Sequence, residues 1–147
     1  NLLLMDEGIG VHTINELEKH DLPGSIEIYD GGTGGFKLID LMQGAARVIF
    51  IDAVDTGKAP GSVTIFRAEE VHSIYNKKKY SLHDTDLMEI IKMAEMLGNP
   101  PMIEIVGIQP KIINYGTTLS NELAGSMSNI MNTVLRRIEE VCSTPSA

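Results

Sequence analysis

Val48-Ile49-Phe50-Ile51 is a continuous apolar run that stops at Asp52. Four large apolar side chains in a row leave a strand no polar face, so it suits a parallel strand covered on both sides. A second buried strand spans Ile103 to Ile108 and leads to Gln109-Pro110. Helical patterns surround both runs. Apolar residues Ile9, Val11, Ile14 and Leu17 mark a helix between Asp6 and His20, closed by Pro23-Gly24. A short helix is expected over Phe36 to Met42. Leu87, Ile90, Ile91, Ala94 and Leu97 mark another helix behind the capping sequence Ser81-Leu82-His83-Asp84, and it stops at Gly98-Asn99-Pro100-Pro101. The last helix steps through Leu123, Met127, Ile130, Val134, Ile138 and Val141.

Between these lie two weaker strand signals. Ile26 to Tyr29 reads as a short strand entering the glycine loop Asp30-Gly31-Gly32-Thr33-Gly34-Gly35. Ser62 to Phe66 alternates like a half-exposed edge strand, placed antiparallel. Ala68 to Lys79 is charged, with a short helix ending in lysines. Strands alternating with helices predict one domain over residues 1–147, a three-layer α/β fold. Its twisted, mostly parallel central sheet has one antiparallel edge strand and helices on both faces. The chain opens at Asn1 on a helix start with no strand to feed it. A buried strand and a glycine turn, roughly 8–12 residues, are therefore expected before Asn1.

Composition narrows the function. Lys and Arg total 12 against 20 Asp and Glu, a net charge of −8. Such a surface repels phosphate backbones, so nucleic acid is not an expected partner. No apolar run approaches the roughly 20 residues of a membrane span, so a soluble protein without a membrane partner is expected. Cys142 is the lone cysteine; it excludes an internal disulfide and fits a reducing cytoplasm.

In open α/β sheets, ligands bind beyond the carboxyl ends of the parallel strands. Asp30 and Asp52 occupy such positions, and Glu7 joins them if a strand ended just before Asn1. His83 opens a helix, where the dipole disfavours protonation and keeps the imidazole in its metal-ligating form. Glu7, Asp52 and His83 form a two-oxygen, one-nitrogen set suited to nickel, zinc, manganese or iron rather than calcium. Each also has a plainer reading: His83 as a surface or capping residue, Asp52 as a turn residue, Glu7 as a dipole complement. Their long spacings match no compact zinc motif. The glycine loop reads as an anion nest, a sharp turn, or a site where an extended peptide adds as a strand. Met88, Met93 and Met96 read as core filling. Serine or cysteine hydrolase chemistry finds no support, because G-x-S-x-G is absent and Cys142 sits at the chain end.

Five segments, in order, resemble the hydrogenase maturation endopeptidases. They are Asn1-x-Leu3-x-x-Asp6-Glu7-Gly8-x-Gly10, Asp30-Gly31-Gly32-Thr33, Ile51-Asp52-Ala53, His83 ahead of an amphipathic helix, and Gly107-Ile108-Gln109-Pro110. The resemblance implies that Glu7, Asp52 and His83 contact the metal. It implies a substrate too, the nickel-loaded precursor of a hydrogenase large subunit, which loses a C-terminal extension. The nickel would be substrate-borne, though another divalent metal suits the same set. Gly31, Gly32 and Thr33 would line the substrate loop, and a monomer is expected. Three mechanisms stay open: nickel held by the precursor orients the scissile bond, a metal activates water, or Asp30 or Asp52 acts as general base. The rival is a non-enzymatic nickel-binding or docking module on the same fold.

Overall fold

The computed structural model describes residues 2–32, 36–75 and 82–144, and the side chains within them except those of 72–75 and 82–86. After a 3-10 turn at Met5–Gly8 the elements are α1 (Ile9–Leu17), α2 (Phe36–Met42), β1 (Arg47–Ala53), β2 (Val63–Arg67), α3 (Ala68–Tyr75), α4 (Leu82–Met96), β3 (Met102–Ile108) and α5 (Asn121–Ser143). The chain is therefore a mixed α/β protein, as its alternating patterns require. The sheet order is β1-β3-β2. Hydrogen bonds at the strand ends give the directions. The Met102 N–H donates to the Ala46 carbonyl, and at the other end the Val54 N–H donates to that of Ile108, so β1 and β3 run parallel. The end of β3 meets the start of β2, where the Gln109 N–H donates to Ser62 and the Gly61 N–H to Gln109, so β2 is antiparallel.

The residues group into two compact units, each holding part of every strand. The first comprises Asn1–Asp30, Ile51–Thr64 and Val106–Ala147. In it α1 packs on α5. Ile9, Leu17, Val54, Val106, Ile108, Leu123, Ile130, Val134 and Ile138 are buried, each side chain contributing about 1.5–3 kcal/mol of transfer free energy. Ser120 caps α5, its hydroxyl accepting from the Leu123 N–H.

The second unit comprises Gly31–Phe50 and Ile65–Ile105. Here α4 meets both α2 and α3, burying Ile39, Met42, Val71, Leu87, Ile90, Ile91 and Ala94. Gly98 and Asn99 both take positive φ, 76° and 53°, and end the helical run. Glu104, in the central strand, is buried and pairs with Arg47 of β1 at 2.9 Å.

The structure differs from the sequence reading in four places, the first being Met96, read as core filling but 86% exposed at the end of α4. β1 is expected to be covered on both faces, yet every one of its residues is half-buried. The continuous burial belongs to β3, where all residues after Met102 are buried. Ile26 to Tyr29 alternates between half-buried and exposed but joins no ladder. Period-2 patterning describes side chains and cannot supply a hydrogen-bonding neighbour. Leu97, assigned to the buried face of α4, is 66% exposed because it lies one residue past the helix end.

Candidate functional site

The first unit carries Glu7 on the 3-10 turn that leads into α1. Glu7 is buried, at 9% exposure. The preceding residue, Asp6, is fully buried, and its carboxylate accepts four hydrogen bonds. Its Oδ2 accepts from the backbone N–H of Lys111 and Ile112 and from the Ser120 hydroxyl, each at 2.8 Å. Its Oδ1 accepts from the Ser120 N–H at 2.7 Å. Burial alone would raise the Asp6 carboxyl; the N–H groups of Ile112, Ser120 and Lys111 and the Ser120 hydroxyl outweigh it and hold it below its ordinary 3.8. The sequence treats Asp6 only as an acidic helix start, and its partners lie more than a hundred residues away. No local spacing could have revealed them.

Asp52 is the penultimate residue of β1, half-buried, with Oδ1 accepting from the Ala53 N–H at 2.8 Å. The strand end is secured by Gln109, another residue whose role the sequence does not show. Its Oε1 accepts from the Thr56 N–H at 2.7 Å and the Thr56 hydroxyl at 3.1 Å, and its Nε2 donates to Asp55 at 3.2 Å. These bonds tie the turn after β1 to the end of β3. Gly10 brings α1 to the same place. A Cβ there would stand 2.3 Å from the Ile51 carbonyl oxygen and 3.7 Å from the Asp52 Cα. Glu7 lies three residues before Gly10, on the 3-10 turn that leads into α1.

The other candidates stand differently. Asp30 is exposed and does not end a paired strand, because Ile26 to Tyr29 forms none. Gly32 has φ +56°, a left-handed conformation that favours glycine. A Cβ on Gly31 would come 3.0 Å from Leu38 Cδ2. Thr33 lies outside the described residues, as do Ser81 and the lysine cluster Lys77 to Lys79. His83 falls in the first turn of α4, in the second unit, and its side chain is outside those described. Among the described residues no group of three His, Cys, Asp or Glu side chains is placed to hold a metal ion. None of the helices described is long and apolar enough to cross a membrane.

An α/β chain with a parallel strand pair, and with carboxylates on the strand end and on the adjoining helix turn, is the class of protein these features define. The family profile of the hydrogenase maturation proteases (HycI) matches residues 11–137, a span that includes Asp52 and His83 and begins after Glu7. The chain belongs to the hydrogenase maturation protease family and is an endopeptidase by class. It is 33% identical over 141 residues to the hydrogenase expression/formation protein HupD of Rhodobacter capsulatus, covering 94% of this chain and 67% of that one. Against HupD of Bradyrhizobium diazoefficiens it is 38% identical over 112 residues, 75% of this chain and 58% of the relative. The chain thus spans about three-fifths to two-thirds of the length of these two relatives. The hydrogenase maturating endopeptidase HybD of Escherichia coli has a similar structure, with a TM-score of 0.86 and 31% identity over 96% of this chain and 88% of that one.

Proposed function

We propose that this chain removes a C-terminal extension from the nickel-loaded precursor of a hydrogenase large subunit, with the substrate's nickel recognised by Glu7, Asp52 and His83. One observation carries the reading. Gly10, three residues after Glu7, packs against the Ile51 carbonyl next to Asp52, in a chain of a protease family, and this supports bringing the two carboxylates to one site. Two carboxylate oxygens and an imidazole nitrogen are a donor set that nickel accepts. Capture of a metal already held by the precursor would immobilise the segment next to the scissile bond. The gain is then largely one of positioning. Asp52, at the strand end, is better placed than exposed Asp30 to act on a water beside that bond. Gly31, Gly32 and Thr33 are proposed as the substrate loop, and the protein as a cytoplasmic monomer without nucleic-acid or membrane partners.

The test is incubation with purified nickel-loaded precursor, followed by mass spectrometry. Shortening of the precursor is the expected outcome; binding without cleavage would instead identify a nickel-binding or docking module. A second arm uses nickel-free precursor in chelator. Rapid cleavage there would overturn nickel recognition and leave plain carboxylate catalysis.

A further inference from the structure

We propose that Asp6 is the positioning residue for Glu7, a role that rests on the reading of Glu7 as a nickel-contacting carboxylate. The two residues are consecutive, so whatever fixes the Asp6 backbone fixes the origin of the Glu7 side chain. Asp6 is fixed from several directions. Its carboxylate receives four hydrogen bonds from Lys111, Ile112 and Ser120, and its own N–H donates to the Ile112 carbonyl at 3.2 Å. On one side the Met5 N–H donates to Gly116 at 2.9 Å, and on the other the Glu7 N–H donates to Leu4 at 3.1 Å. Met5 has φ +45°, a left-handed conformation that a non-glycine residue keeps only where its surroundings hold it.

The chemistry explains why an aspartate stands there. Four donors converge on one side chain, and an ionised carboxylate is a pure acceptor that satisfies all of them. Asparagine would turn an NH2 group toward some of those donors. An acidic residue that merely complements a helix dipole needs neither burial nor four partners. The partners also lie in an irregular segment, residues 111–120, which no strand ladder secures apart from an isolated parallel bridge between Leu4 and Gly116. The Asp6 bonds, together with the Met5–Gly116 pairing, tie that segment to the turn bearing Glu7.

The experiment follows precursor processing by wild type, Asp6→Asn, Glu7→Asp and the double variant, with a thermal melt showing each to be folded at the assay temperature. A displacement of about 1 Å costs roughly 100-fold, so kcat should fall by about that factor in Asp6→Asn while KM stays within about 2-fold. In the Glu7→Asp background, where the carboxylate is already displaced, the same change should cost less than about 5-fold. A kcat within about 3-fold of wild type, or an equal loss in both backgrounds, overturns the positioning role and leaves Asp6 a structural clamp. If Asp6→Asn does not fold, Ser120→Ala keeps the carboxylate and removes one donor. It should lower kcat alone by roughly 10-fold, and an unchanged kcat overturns the role. A wild type that cleaves nothing, or a Glu7→Gln variant that cleaves normally, overturns the reading of the site itself. That result is distinct from an active wild type matched by Asp6→Asn.

Discussion

Gly10 and Ile51 mark the point where the first helix touches the first strand: a Cβ on Gly10 would lie 2.3 Å from the Ile51 carbonyl oxygen. No side chain fits there without moving backbone against backbone. Gly10→Ala is therefore expected to destabilise the protein by about 1–3 kcal/mol, the usual cost of overpacking, although alanine is the better helix former. Urea denaturation checks this, and a variant as stable as wild type would mean the helix shifts freely. In the processing assay Gly10→Ala should also lower cleavage, because shifting α1 moves the turn bearing Glu7 relative to Asp52, the two carboxylates of the proposed site.

Asp52→Asn is nearly isosteric and its amide oxygen can still accept from the Ala53 N–H. It is expected to leave the melting temperature close to wild type while abolishing processing of the nickel-loaded precursor. His83→Ala should do the same, with a stability change well below the roughly 2–5 kcal/mol of a core cavity. Full activity in both variants would remove the proposed site.

Ser120 donates its hydroxyl to Asp6 and accepts from the Leu123 N–H with the same oxygen. Ser120→Ala removes a helix cap and a charge-assisted bond together. A loss of about 1–3 kcal/mol is expected in chemical denaturation. Removing the carboxylate in Asp6→Ala strands four donors and should cost more.

The acid limb of the stability curve should report Asp6. Its carboxyl is held below 3.8 in the folded protein. A depressed folded value adds stability at pH above the unfolded value, and that stability is lost as pH falls through the folded value. Wild type should therefore weaken as pH drops below about 3.8, and Asp6→Asn should show a shallower slope in that window. Parallel slopes would assign the acid transition to other carboxylates.

Arg47 and Glu104 pair across β1 and β3, with the Glu104 side chain 3% exposed and that of Arg47 26% exposed. Arg47→Met leaves a buried carboxylate without this partner and should destabilise by about 3 kcal/mol. Arg47→Met with Glu104→Leu should recover much of that loss. A double variant as unstable as the single one would show that the pair sets strand register rather than neutralising charge.

Much of the fold is legible in residue order because local sequence decides it. Phe36 to Met42 is helical over the expected residues, and of the last helix's stripe Leu123, Ile130, Val134 and Ile138 are buried while Met127 and Val141 are half-buried. Asp52 is likewise legible, because an apolar run that ends on an acid puts a carboxylate at a strand end. What a strand pairs with is another matter. Ile26 to Tyr29 has the alternation but no ladder partner among the described residues, and Val48 to Ile51 has the apolar run but is only half-buried.

Side-chain periodicity and turn residues thus determined the class of fold, most element positions and the candidate carboxylates, since all of these act over a few residues. Tertiary structure alone decided that Asp6 is buried beneath four donors, that Gln109 clamps the turn after Asp52, and that position 10 has no room for a side chain. The reason is physical. Asp6 meets Ser120 across 114 residues, Gln109 meets Thr56 across 53, and hydrogen bonds depend on distances of about 3 Å in space, to which separation along the chain is no guide.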